Sequence, residues 1–125
     1  ENSPLIYGWS LKIKEELSKV IDLSVDSGKV LLDGEILNTD SRELKSGKFL
    51  VTFDLYDGSS TITCKAFVEA DKHDAVIKRL KSASGVKVNG TAQFDPLAKE
   101  LVVFSNVIIE STGIIRDVRN YEAKV

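Results

Sequence analysis

The chain has 125 residues, 42% of them apolar and 29% charged, which suits one globular domain with a real core. Its formal net charge of −2 speaks against a protein that grips duplex DNA mainly through bulk charge, and leaves room only for a local basic groove. No apolar run approaches the ~20 residues of a membrane-spanning helix and no signal-type segment opens the chain, so a cytoplasmic location without a membrane partner is expected.

The single cysteine, Cys64, has no partner for an internal disulfide and fits a reducing compartment. There is no methionine, even at position 1, so the sequence is expected to be a segment of a longer protein.

Pro4 to Trp9 is a short apolar stretch, suited to an edge strand or a packed lead-in. Ser10 is placed to cap a helix running to about Leu23, with Ile13, Leu17, Val20 and Ile21 on one stripe and Glu15 four residues before Lys19. From Gly28 to Glu69, three segments alternate with period two. Their inward sets are Val30, Leu32 and Ile36; then Phe49, Val51, Phe53 and Leu55; then Ile62, Cys64 and Ala66. This alternation predicts three half-buried strands. A long polar loop joins the first two strands, and the turn Asp57-Gly58-Ser59 joins the next pair, with glycine supplying positive φ. The result is an antiparallel meander with one apolar face that the rest of the chain must cover.

Ala70 to Lys81 reads as a short helix with Ala75, Val76 and Leu80 inward, an acid in its first turn and bases in its last. Ser82 to Gly85 ends it. Two further strands follow, one holding Val86, Val88 and Ala92, the other Leu101, Val103, Val107 and Ile109. The turn Asp95-Pro96-Leu97-Ala98 lies between them. From Ser111 the apolar pattern weakens. The expected division is 1–27 as a lead-in with a short helix, 28–110 as the folded domain, and 111–125 as a linker.

The order is thus helix, three strands, helix, two strands. Val30-Leu31-Leu32-Asp33-Gly34 and Val86-Lys87-Val88-Asn89-Gly90 share a pattern in which glycine follows two inward apolar residues, the mark of a bulge or a barrel corner. The expected class is all-β with accessory helices. The architecture is a five-stranded Greek-key OB-fold barrel, with a helix between strands 3 and 4 and a helical N-terminal lead-in. Closure hides the edges an open sheet would expose.

From Leu5-Ile6-Tyr7-Gly8 to about Glu110, the chain resembles the OB domain of PolC-type DNA polymerase III alpha subunits of Gram-positive bacteria. The residues that carry this are Val30-x-Leu32-x-Gly34-Glu35-Ile36, Arg42-Glu43-Leu44-Lys45-Ser46-Gly47-Lys48, Thr52-Phe53, Lys65-Ala66-Phe67, Val86-Lys87-Val88-x-Gly90 and Glu100-Leu101-Val102-Val103. The loop Arg42-Glu43-Leu44-x-Ser46-Gly47 is the most specific of them. Glu122-Ala123-Lys124-Val125 is similar to the approach to that family's PHP metal-binding domain. The resemblance implies a role beside a catalytic core, holding single-stranded template. It also implies a parent that is a DNA-directed DNA polymerase with 3′–5′ exonuclease. The partners implied are single-stranded DNA, the PHP, exonuclease and polymerase domains of that parent, and other replisome proteins.

For this segment itself, no catalysis, metal or cofactor is expected. A nucleophile needs a nearby base, but the one histidine, His73, reads as a solvated helix residue and Cys64 as a buried thiol. One His and one Cys do not make a zinc site, and no phosphate-binding glycine loop is present. Binding is the better expectation. OB barrels hold single strands across strands 2 and 3, between the loop joining strands 1 and 2 and the loop joining strands 4 and 5. The first loop offers Arg42, Lys45 and Lys48. The outward face offers Thr52, Tyr56, Thr63, Lys65 and Phe67, and the second loop region offers Phe94 and Lys99. Asp54 lies on the same face. The run Lys78-Arg79-Leu80-Lys81, with Lys87, is a second basic patch, read as a solvated helix end or a phosphate track. The alternative function is protein docking within the replisome, or a spacer against the PHP domain, because a fold does not decide a function.

Overall fold

The computed structural model describes residues 4–8 and 13–111. Its strands are β1 (Leu5–Tyr7), β2 (Lys29–Glu43), β3 (Phe49–Tyr56), β4 (Thr61–Val68), β5 (Val86–Asp95) and β6 (Glu100–Glu110), with one helix, α1 (His73–Ser82), between β4 and β5. The five expected strands are β2 to β6. β2, β3 and β4 form the antiparallel meander. β4 then pairs parallel with β6, β6 antiparallel with β5, and β5 antiparallel with β2. That circuit closes a barrel. β1 adds to β6 at Leu5↔Ile109.

The two shared glycines are the corners. β2 pairs with β5 from Lys29 to Gly34, then with β3 from Glu35 onward. At Gly34 a Cβ would sit 2.3 Å from the Tyr56 carbonyl oxygen, and at Gly90 it would sit 2.3 Å from that of Phe104. Only a residue without Cβ lets the strands cross so closely. The register of β5 against β6 also shifts between Asn89 and Gly90.

Most of the expected inward residues pack in the core, but Ile36, Phe49 and Leu101 are only half-buried, and the β6 irregularity that skips Asn106 buries Ile108 in place of the expected Ile109. Leu32, Val51, Leu55, Cys64, Val86, Val88 and Val103 have no exposed surface. α1 closes one end of the barrel with Val76 and Leu80, joined by the partly buried Ile77. Ala75, expected on that stripe, is exposed.

The lead-in differs from expectation. Ser10 lies outside the described residues. Over 13–23 there is no α-helix, only a 3₁₀ turn at Val20–Asp22. The backbone here serves the barrel instead of a helix. Ser18 N–H donates to the Leu31 carbonyl at 2.9 Å, and Leu17 bridges Leu31 in parallel. Glu15 does not stay beside Lys19, since its carboxylate accepts from the buried Asn89 amide at 2.9 Å. The supposed stripe splits, with Val20 buried while Leu17 and Ile21 are exposed. Hydrogen bonds to distant strands override a weak local preference.

The turn after β3 holds this lead-in. The Asp57 carboxylate accepts from Val20 N–H at 2.8 Å and from Ser59 N–H at 2.9 Å, and Ile21 N–H donates to Ser59 Oγ at 3.1 Å. Partial burial alone would push the Asp57 carboxyl up, but the bonds from Ser59, Val20 and Ser60 outweigh it and hold it below its usual range.

Candidate nucleic-acid interface

Alternation that buries one side of β3 and β4 presents the other. Their register aligns Leu50 with Phe67, Thr52 with Lys65, Asp54 with Thr63, and Tyr56 with Thr61. β6 extends the face, with Phe104 opposite Lys65. Phe67 is 46% exposed. Its ring lies nearly parallel to that of Phe104, at an interplanar angle of 6° with centroids 6.2 Å apart. Tyr7 O–H donates to the Phe67 carbonyl at 2.9 Å, fixing this end of β4 from β1. Tyr56 lies at the opposite end of the face. The aromatic surface is therefore broader than Tyr56 and Phe67 alone. Phe104 was missed, although Val103 inward puts Phe104 outward by simple alternation.

The cations divide into spent and available. Lys65 ion-pairs with Asp95, with side-chain exposures of only 17% and 10%. Asp95 also accepts from Leu97 N–H at 3.0 Å and shapes the turn after β5. The bond from the Lys65 ammonium holds the Asp95 carboxyl below its usual range against the opposing pull of burial. Lys65 is thus a strut between β4 and the β5–β6 turn. Lys48 faces Glu69 at 3.5 Å. Arg42, Lys45 and Lys99 are exposed. Arg42 is on a strand, because β2 runs on to Glu43 through a register shift between Leu37 and Asp40, with Asn38 at φ 55°. The expected long loop is only residues 44–48, tightened by Leu44 N–H to the Lys48 carbonyl at 2.8 Å. Lys99 sits in the β5–β6 turn at φ 57°. Phe94, at the end of β5, is 54% exposed and belongs to the barrel mouth, not to the core.

Asp54 is at the centre. Thr63 Oγ1 donates to one carboxylate oxygen at 2.9 Å, and Asn38 Nδ2 donates to the other at 3.0 Å. Behind it, Cys64 is fully buried. Burial, with some help from the Asp54 charge, pushes its thiol far above the ordinary range, so it is no thiolate.

Two surface expectations change. His73 is not solvated. Its ring stacks on Phe49 at 3.9 Å and 19°, and Nε2 lies 2.9 Å from Ser41 Oγ. It fastens the start of α1 to β2 and β3. Arg79 is not a phosphate track. It donates to the Leu5 carbonyl at 3.3 Å and to Glu110 Oε1 at 3.1 Å, tying α1 to β1 and β6.

Among the described residues, no group of three or more His, Cys, Asp or Glu side chains could hold a metal ion. No described helix is long and apolar enough to cross a membrane.

The circuit β2-β3-β4-β6-β5, closed back on β2, with its helix between β4 and β5, defines an OB barrel. Residues 30–109 match the family described as OB-fold nucleic acid binding domain, tRNA_anti-codon, and the chain belongs to that family. It is similar to the DNA polymerase III PolC-type of Bacillus subtilis (strain 168), with 29% identity over 116 residues, 93% of this chain and 8% of that protein. The chain thus spans only a small part of such a relative's length. Among solved structures it is similar to RecG bound to a three-way DNA junction, with a TM-score of 0.62 and 20% identity over 90% of this chain and 15% of that one. It is also similar to a replication protein A heterotrimer bound to ssDNA, with a TM-score of 0.50 and 12% identity over 78% of this chain and 71% of that one. At these identities the structural likeness establishes the fold alone.

Proposed function

We propose that the outward face of β3, β4 and β6 binds single-stranded DNA as part of a PolC-type polymerase. The observation that carries this reading is the nearly parallel Phe67–Phe104 pair on the outward face of β4 and β6, with Phe67 exposed and Phe104 half-buried. Flat rings there give bases a stacking platform that tolerates any sequence. The exposed cations Arg42, Lys45 and Lys99 stand on the rims, where phosphates of a strand crossing the face would lie. RecG and replication protein A, which share the fold, were each solved with DNA, and the PolC-type relative supplies the polymerase context. In that context the face holds template beside a catalytic core that lies in other domains of the parent.

Fluorescence anisotropy with labelled single-stranded DNA at low salt tests this. Binding is expected. With three free cations on the rim, the log–log salt slope should be about −2, at roughly 0.7 per phosphate neutralised. Changing Arg42, Lys45 and Lys99 together to Ala should flatten that slope. Absence of binding, or affinity that ignores salt, overturns the reading in favour of protein docking.

A further inference from the structure

Asp54 raises a specific question. It lies half-buried in the middle of the face, between Thr52 and Tyr56 along β3 and opposite Thr63 on β4. Among the described residues, no lysine or arginine forms an ion pair with it, and the nearby Lys65 is committed to Asp95. A lone carboxylate repels phosphate. On a face that carries a polyanion it costs affinity unless something else on the strand bonds to it.

Its geometry says what could. A carboxylate has about four acceptor directions. Thr63 occupies one on Oδ1 and Asn38 one on Oδ2. Acceptor capacity therefore remains on both oxygens. The two bonds come from different strands, β4 and β2, and hold the group in one orientation. Asn38 reaches it because the β2 irregularity puts that residue at φ 55°.

In single strands, the Watson–Crick edges of the bases are open to protein. Guanine presents two donors side by side there, N1–H and N2–H, which match two adjacent carboxylate oxygens. Cytosine and adenine each present one amino donor next to a ring acceptor. Thymine presents one N–H between two carbonyls, and both carbonyls would face the charge. Paired, charge-assisted bonds are the stronger and more geometrically selective kind.

We infer that Asp54, oriented by Thr63 and Asn38, reads one base of the bound strand and selects guanine over thymine at that position. This rests on the single-strand reading of the face given above. The strand then runs with its bases towards β3 and β4 and its phosphates towards the Arg42, Lys45 and Lys99 rims, clear of the carboxylate.

The test is a titration of the whole chain with labelled oligothymidine and with strands carrying guanine, cytosine or adenine at every third thymidine position, in lithium buffer to prevent guanine quadruplexes. The guanine strand should bind about tenfold more tightly than oligothymidine, the discrimination of one good bidentate contact. Asp54→Asn should abolish that gap from both sides, weakening guanine binding and tightening thymidine binding. Should that variant fail to fold, Thr63→Val, which unpins one oxygen but keeps the charge, should narrow the gap. Equal binding of all four strands by the unaltered chain overturns the role of Asp54 and leaves single-strand binding standing. A guanine preference that survives Asp54→Asn overturns it as well. If no strand binds, both readings fall.

Discussion

β3 and β4 each have two faces built from alternate residues of the same few turns of chain, yet the faces obey different rules. Inward, Val51, Phe53, Leu55, Ile62, Cys64 and Ala66 are all buried. Burial is non-directional and needs only apolar residues of fitting size at every second position. Outward, Thr52, Asp54, Tyr56, Thr63, Lys65 and Phe67 are placed by the same alternation, but their chemistry is set by partners elsewhere. Lys65 depends on Asp95, Asp54 on Asn38, and Phe67 on Phe104 and Tyr7. The inner face makes the barrel, and the outer face decides what the barrel can hold.

Substitutions on the two faces should have unlike effects. The largest effect is expected inside. Phe53→Ala should cost about 3–5 kcal/mol of stability, read from urea unfolding, because it removes the largest fully buried side chain among the described residues. Phe67→Ala, on the same pair of strands but outward, should cost roughly 1–3 kcal/mol of single-strand affinity. Its effect on stability should be far smaller than that of Phe53→Ala. If the two substitutions affect stability equally, the division between the faces fails.

Lys65 crosses that division. Although outward, it is tied to a nearly buried carboxylate, so Lys65→Ala should lower the thermal unfolding midpoint as well as any affinity. The pH dependence has a definite sign. Asp95 titrates in the fold below its ordinary value of 3.8. The unfolded chain therefore binds its proton first, and stability from the pair is complete above that value and lost as pH falls through the folded one. Unfolding midpoints measured from neutral to acid pH should show this loss in the unaltered chain and a shallower loss in Lys65→Ala.

The same contrast explains what was legible in the sequence. The barrel order, the corner glycines and the helix between β4 and β5 all follow from period, turn residues and apolar spacing, which are local signals. Over the described residues 13–23 the expected lead-in helix is absent, because Glu15 and Ser18 bond to Asn89 and Leu31, residues far along the chain. His73 looked solvated because its charged neighbours are local, whereas Phe49 and Ser41 come from other strands. Lys65 looked available because Asp95 lies 30 residues away. Phe104 was within reach, since alternation alone turns it outward.

Single-strand binding by the outward face is tested most sharply by following backbone amide NMR signals as unlabelled single-stranded DNA is added. Shifts should concentrate at Arg42, Lys45, Thr52, Asp54, Tyr56, Phe67, Phe104 and Lys99, with α1 and the Val20–Asp22 turn left unmoved. Shifts centred on Lys78, Lys81 and Lys87 instead, or none at all, would contradict it.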